Sequence, residues 1–203
     1  MRDFVIMGLT GSTGAGKSTS VEYFKQNGYV VIDADALAKK AMLPECSCLK
    51  QVCGVFGKDI LNPNGTLNRQ RLAKKAFSSK ANAQLLSDIT HPWIFLQVMK
   101  LCRENIDGGN RKILFDAPLL FESRSEIMCD AVTCVVAPKE VRMERLIKRD
   151  GLSREQIEKR MSVQHDDEFY ISRSDFVIDG SKSLENVKAQ VDEICSDRRV
   201  KRG

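Results

Sequence analysis

Phe4-Val5-Ile6-Met7-Gly8-Leu9-Thr10-Gly11-Ser12-Thr13-Gly14-Ala15-Gly16-Lys17-Ser18-Thr19 is the stretch on which the reading of this chain turns. Phe4 to Leu9 is a continuous apolar run, as expected of a strand buried on both faces. Gly11 through Ser18 then completes a G-x-x-x-x-G-K-[ST] string, with a helical pattern directly after it. Glycines let the backbone turn so that successive N–H groups point at phosphates, and the helix N-terminus adds positive dipole. Lys17 can reach β- and γ-phosphates, and the Ser18 hydroxyl can face Mg²⁺. A Gly/Ser-rich loop without a ligand would need neither the Lys-Ser pair nor the strand before and helix after it. Gly11, Ser12, Thr13, Gly14, Ala15, Gly16, Lys17, Ser18 and Thr19 are therefore the candidate nucleotide-binding residues.

Working outward, strands and helices alternate, which argues for an α/β fold with a parallel sheet. A helix is expected from about Gly16 to Gln26, stopped by Asn27-Gly28, and a second strand over Tyr29 to Ile32. Ala36 to about Asn105 is mostly helical by pattern, with a turn at Asn62-Pro63-Asn64-Gly65; it is too large for a simple crossover and reads as a subdomain. Strands resume at Ile113 to Phe115, Ala131 to Val136 and Phe176 to Ile178. Between the last two lie a helix from Lys139 to Asp150 and a second opened by the capping box Ser153-Arg154-Glu155-Gln156. Leu184, Val187, Val191 and Ile194 mark a final amphipathic helix. We divide the chain into a core (1–35 and 108–203), a helical insertion (about 36–107) and an arginine-bearing segment where a lid would sit (about 139–168), all one domain.

The composition bounds the function. A chain of 203 residues, 42% hydrophobic and 29% charged, suits one ordinary globular domain. No apolar run approaches the ~18 residues of a membrane span, and the start of the chain enters its strand without a signal-peptide pattern, so a cytoplasmic protein without a membrane partner is expected. The net charge of +5 is concentrated partly in Arg198, Arg199, Lys201 and Arg202 after the last helix, where a solvated terminus is the plain reading, rather than a nucleic-acid surface. The remaining basic residues fit polyanionic small molecules. Cys46, Cys48 and Cys53 cluster but lack the second pair of ligands a zinc site needs, so reduced thiols are expected.

Other residues narrow the class. No Asp is followed by Gly three positions on, and no Asn/Thr-Lys-x-Asp occurs, which argues against a GTPase switch. Asp33 and Asp35 follow the second strand, and in open α/β sheets ligands bind beyond the carboxyl ends of the strands. One of them could take the proton of an attacking hydroxyl; Asp33 is our candidate base, while Asp35 reads equally as the N-cap of the next helix or as a ligand. Asp116 ends Ile113-Leu114-Phe115, where it could act on Mg²⁺ or simply close a turn. The string Pro118-Leu119-Leu120-Phe121-Glu122 after it is too apolar for a plain surface loop, so it either buries or lines a pocket. Arg142, Arg145 and Arg149 recur at helical spacing, with Arg154 and Arg160 beyond, where arginines could close over a transferring phosphate or merely form a solvated face. A lone His91 is more often structural than catalytic.

Together these strings resemble the bacterial dephospho-CoA kinases over essentially the whole chain. The resemblance is carried by Gly8 through Thr19, Ile32-Asp33-Ala34-Asp35, Phe56-Gly57, Gly65-Thr66-Leu67-Asn68-Arg69, Thr90-His91-Pro92, Asp116 to Glu122, and Lys148 to Ser153 with Arg160 and Gln164. It implies a P-loop NTPase fold like that of nucleoside monophosphate kinases: a five-stranded parallel sheet flanked by helices, a helical CoA-binding subdomain and a lid. It also implies ATP and Mg²⁺ as cofactors and transfer to the ribose 3′-hydroxyl of dephospho-CoA, by a protein we expect to be a monomer. On this resemblance Asp33, Lys17 and Arg149 are the catalytic candidates, Arg145 and Arg160 contact the nucleotide, Ser18 and Asp116 serve the metal, and Asp33, Asp35, His91 and Leu119 face the acceptor. The chain departs from the family pattern at Ser12-Thr13 (usually Gly-Ile), Lys39 (usually Arg) and Gly180 (commonly Asn). Another small-molecule kinase on the same core is the alternative, and a nucleotide-dependent switch a weaker one.

Overall fold

The computed structural model describes residues 3–198 and 200. Strand β1 (Val5–Gly11) is buried at every position because it is the middle strand of a five-stranded parallel sheet, which runs in the order Val30–Asp33 (β2), Lys112–Asp116 (β3), β1, Ala131–Val136 (β4), Phe176–Asp179 (β5). It pairs in parallel with β3 (Lys112–Asp116) on one side and β4 (Ala131–Val136) on the other, with Met7 opposite Leu114 and Ala131. β5 (Phe176–Asp179) adds in parallel to β4. A strand with neighbours on both edges and helices on both faces has no solvated side, which is why its sequence is apolar without alternation.

Helix α1 (Lys17–Gln26) leaves β1 through the glycine loop and ends at Asn27, with Gly28 at φ 84° and Tyr29 N–H returning to the Phe24 carbonyl at 3.1 Å. That return delivers the chain to β2 (Val30–Asp33). Phe24 and Tyr29 meet edge to face at 5.2 Å between centroids, and with Met7, Leu9, Leu114, Val135 and Ile178 they form the main core. Val187 and Val191 of the last helix, α9 (Leu184–Ser196), close it. Each such large side chain taken out of water contributes about 1.5–3 kcal/mol.

The chain forms two compact units, one of residues up to Ile32 and from Cys102 onward, the other Asp33–Leu101. The second holds α2 (Ala34–Ala41), α3 (Ser47–Phe56), a 3-10 turn (Lys58–Ile60), α4 (Arg69–Ala76) and the greater part of α5 (Lys80–Asp107). Its own core is Val52, Phe56, Ile60, Leu72 and Ala76. The turn read at Asn62-Pro63-Asn64-Gly65 is present: Asn62 N–H reaches the Thr66 carbonyl at 2.8 Å, and Leu61 bridges Leu67 antiparallel across it. Helix α5 continues through Pro92, which has no N–H to give the preceding turn.

In the first unit α6 (Lys139–Asp150) and α7 (Arg154–Ser162) pack through Met143, Leu146, Ile157 and Met161. The capping box read at Ser153 and Gln156 is formed in both directions. A short helix, α8 (Asp167–Ile171), was not among the expected elements; Asp166 caps it by accepting from Phe169 N–H at 2.9 Å. Among the described residues no helix is long and apolar enough to cross a membrane.

Candidate nucleotide-binding site

The glycine loop is moulded by what lies under it. Gly11 ends β1 at φ 140°, and a Cβ there would sit 2.2 Å from the Val135 carbonyl oxygen, so only glycine lets β1 turn out of the sheet beside β4. Ala15 N–H closes a turn onto the Ser12 carbonyl at 3.1 Å, and Gly16 stands as the N-cap of α1 in the left-handed region. Gly180, just beyond β5, explains one departure from the family pattern. A Cβ at this position would lie 2.0 Å from the Ala15 carbonyl oxygen, so the loop and the β5–α9 turn touch backbone to backbone.

Arg145 locks this contact. Its guanidinium donates to the Ala15 carbonyl at 3.1 Å and to the Gly180 carbonyl at 2.8 Å. The arginine expected to contact nucleotide thus also holds the scaffold of the loop. Arg149 and Arg160 are placed differently. Arg149 donates twice to Asp150, at 2.6 and 3.0 Å, and Arg160 donates to the same carboxylate at 2.9 Å. The hydrogen bonds from Arg149 hold the Asp150 carboxyl below the usual carboxylate range, and that bond in turn raises the Arg149 guanidinium. Two cations share one anion on the exposed side of α6 and α7, so positive charge remains there.

Lys17 and Asp116, read separately from the sequence as phosphate and metal groups, form an ion pair. Both side chains are mostly buried, at 18% and 16% exposure, so the pair sits in the floor of the loop rather than on open surface. Ser18 is exposed at the start of α1. Among the described residues no group of three or more His, Cys, Asp or Glu is gathered as for an all-protein metal cage. The donors present, a hydroxyl and a carboxylate, are hard oxygens. They fit Mg²⁺, which keeps waters and takes one or two carboxylates together with substrate phosphates.

The acceptor-side candidates are placed as follows. Asp33 is the last residue of β2 and accepts from Ala36 N–H at 3.0 Å, so it is the N-cap of α2. The reading of Asp35 as the cap is thereby corrected: the helix starts at Ala34, directly off the strand, and Asp35 falls in its first turn beside the positive end of the dipole. His91 is half-buried in α5, and burial lowers its pKa. In the apolar string after β3, Leu120 and Phe121 are buried, which is one of the two readings of it, while Leu119 is 56% exposed. The Thr10 hydroxyl donates to the Pro118 carbonyl at 3.2 Å and ties this loop to β1.

Two residues on the loop's other flank, Gln164 and Asp167, were assigned no role by sequence reading, and Arg142, read as a lid arginine or part of a solvated face, is buried at 8% exposure and so is not on a solvated face. The Ser12 hydroxyl donates to Asp167 at 2.7 Å, Thr13 N–H donates to the Gln164 side chain at 3.2 Å, and Arg142 lies 3.8 Å from Asp167. The run Asp166-Asp167-Glu168 ahead of Phe169-Tyr170 carries a legible N-cap and acidic first turn. Its partners, some 155 positions away, leave no local signal.

Comparison with known proteins agrees with this geometry. The sequence profile of the dephospho-CoA kinase family matches residues 5–186. A dephospho-CoA kinase of Corynebacterium efficiens is 37% identical over 191 residues, covering 94% of this chain and 96% of that protein. Among solved structures, TT1252 from Thermus thermophilus superposes with a TM-score of 0.79 at 29% identity, over 95% of this chain and 97% of that one. The dephospho-CoA kinase from Campylobacter jejuni does so with a TM-score of 0.60 at 26% identity, over 93% and 94% of the two chains.

Proposed function

Because this chain belongs to the dephospho-CoA kinase family, we propose that it transfers the γ-phosphoryl group of ATP to the ribose 3′-hydroxyl of dephospho-CoA, giving CoA and ADP. The observation that carries the reading is the complete glycine loop at the end of β1 with Lys17 and Asp116 paired in its floor. Backbone N–H groups of the loop and the N-terminus of α1 hold the phosphates, and Lys17 turns from Asp116 toward the β- and γ-oxygens. Ser18 and Asp116 are the groups that would hold Mg²⁺, which when bound neutralises charge on those oxygens.

In the transfer, the ribose oxygen attacks the γ-phosphorus, the bond to the β–γ bridging oxygen breaks, and the hydroxyl proton goes to a carboxylate. Asp33 is that base in our reading. Its Oδ1 carries the cap bond, and its position at the carboxyl end of β2 supports the role. Arg149 and Arg160 supply charge to the transferring group, while Arg145 acts on the nucleotide through the loop that it holds. Asp35, His91 and Leu119 are the acceptor-side contacts, with ATP and dephospho-CoA as the partners of a cytoplasmic monomer.

The deciding experiment incubates the protein with ATP, Mg²⁺ and dephospho-CoA and identifies the product by mass. CoA formation supports the reading. Turnover of AMP or CMP in place of dephospho-CoA would overturn it in favour of a nucleoside monophosphate kinase.

A further inference from the structure

We infer that Asp167 is a positioning residue for the phosphate-binding loop, acting through the Ser12 hydroxyl with Arg142 as its counter-ion. Ser12 opens the turn closed by Ala15 N–H, and the residue is almost wholly buried at 2% exposure. A buried hydroxyl needs a partner, and the carboxylate of Asp167 supplies it at 2.7 Å. Arg142 is also buried, at 8% exposure, with its Nη2 3.8 Å from the same carboxylate oxygen. One anion thus accepts from a buried hydroxyl and faces a buried cation whose Nε has no hydrogen-bond partner; removing it leaves the hydroxyl unpaired and takes the counter-charge from the guanidinium.

The neighbouring loop residues are held by the same elements. Thr13 N–H is taken by Gln164, and a Cβ at Gly14 would lie 2.9 Å from the Arg142 carbonyl oxygen. Consecutive residues 12, 13 and 14 therefore rest on α6, on Gln164 and on the first turn of α8. Helix α8 is itself anchored, since Phe169 meets Phe121 edge to face at 6.0 Å. A loop that binds phosphates through backbone dipoles gains affinity when its shape is set before the ligand arrives, because the ordering cost is then absent from binding. The departure at Ser12 follows from this, since its hydroxyl is matched to Asp167 across the fold; Gln164 takes only the backbone N–H of Thr13, and nothing in the structure explains the threonine side chain.

The inference rests on the ATP-binding reading of the loop and is independent of the acceptor. The test is a double-mutant cycle read as ATP affinity by calorimetry in the presence of Mg²⁺, with no acceptor added. S12A and D167A should each weaken ATP binding about fivefold, the size of one net hydrogen bond. The double variant should bind no more weakly than D167A alone. D167N keeps an acceptor for Ser12 but not the charge facing Arg142, and should fall between D167A and wild type. Should D167A fail to fold, S12A and D167N carry the test. Unchanged ATP affinity in folded S12A and D167N, even with a lowered unfolding midpoint, would reduce Asp167 to a structural residue and overturn the inference. So would effects of S12A and D167A that simply multiply. A wild-type protein that binds ATP yet leaves dephospho-CoA untouched would refute the acceptor assignment and leave this inference standing.

Discussion

At position 33 a single carboxylate caps α2 through Oδ1 and stands as the candidate base. Asn caps a helix as well as Asp does, so Asp33→Asn removes the proton acceptor while leaving the start of α2 intact. We expect that variant to keep ATP affinity and the wild-type unfolding midpoint but to lose ~10²-fold or more in kcat. Near-normal turnover would make Asp33 a cap alone. Gly180 offers a second test at this scale. Gly180→Ala sets a Cβ 2.0 Å from the Ala15 carbonyl oxygen, and neither backbone can yield without moving the loop. Overpacking of this kind costs about 1–3 kcal/mol. The unfolding midpoint and the ATP affinity should fall together, and a variant with wild-type values of both would show that the contact is slack.

Helices α6 and α7 illustrate how an element can be read from local spacing while the neighbours of its residues cannot. Their apolar spacing and the Ser153 capping box are local, and both are present in the fold. The arginines at helical spacing look equivalent in sequence, yet Arg142 is buried against Asp167, Arg145 grips the carbonyls of Gly14, Ala15 and Gly180, and Arg149 joins Arg160 on Asp150. The difference is one of azimuth, which carries each guanidinium to a different neighbour. Asp150 makes the grouping testable by titration. Its pKa lies below the ordinary carboxylate value, so what the cluster contributes is present above that value and is lost as pH falls through the lower, folded-state pKa. NMR titration of the Asp150 side-chain carboxyl should show that depressed midpoint, and Arg149→Gln should raise it toward the ordinary value. A midpoint unmoved by Arg149→Gln would assign the shift elsewhere.

For the molecule as a whole, ATP that binds only the native state must stabilise it, by about 2.7 kcal/mol when free ATP is a hundredfold above its Kd. Thermal unfolding with and without ATP should show that rise. Lys17→Ala should abolish most of it at the same ATP concentration; an undiminished rise in that variant would place the nucleotide somewhere other than the glycine loop. The elements that predict this behaviour were legible in the linear chain because each depends on near neighbours. An unbroken apolar run marks a strand covered on both faces, glycines at 11, 14 and 16 mark a loop that must turn, and Lys17-Ser18 mark what it holds. Tertiary structure alone decided what surrounds that loop: Asp116 beside Lys17, Arg145 and Gly180 against Ala15, Asp167 and Gln164 on Ser12 and Thr13. The reason is physical. Local spacing fixes a backbone's own hydrogen bonds and its apolar face, whereas the partner of a buried hydroxyl or guanidinium is whichever distant group the packed sheet and helices bring within about 3 Å.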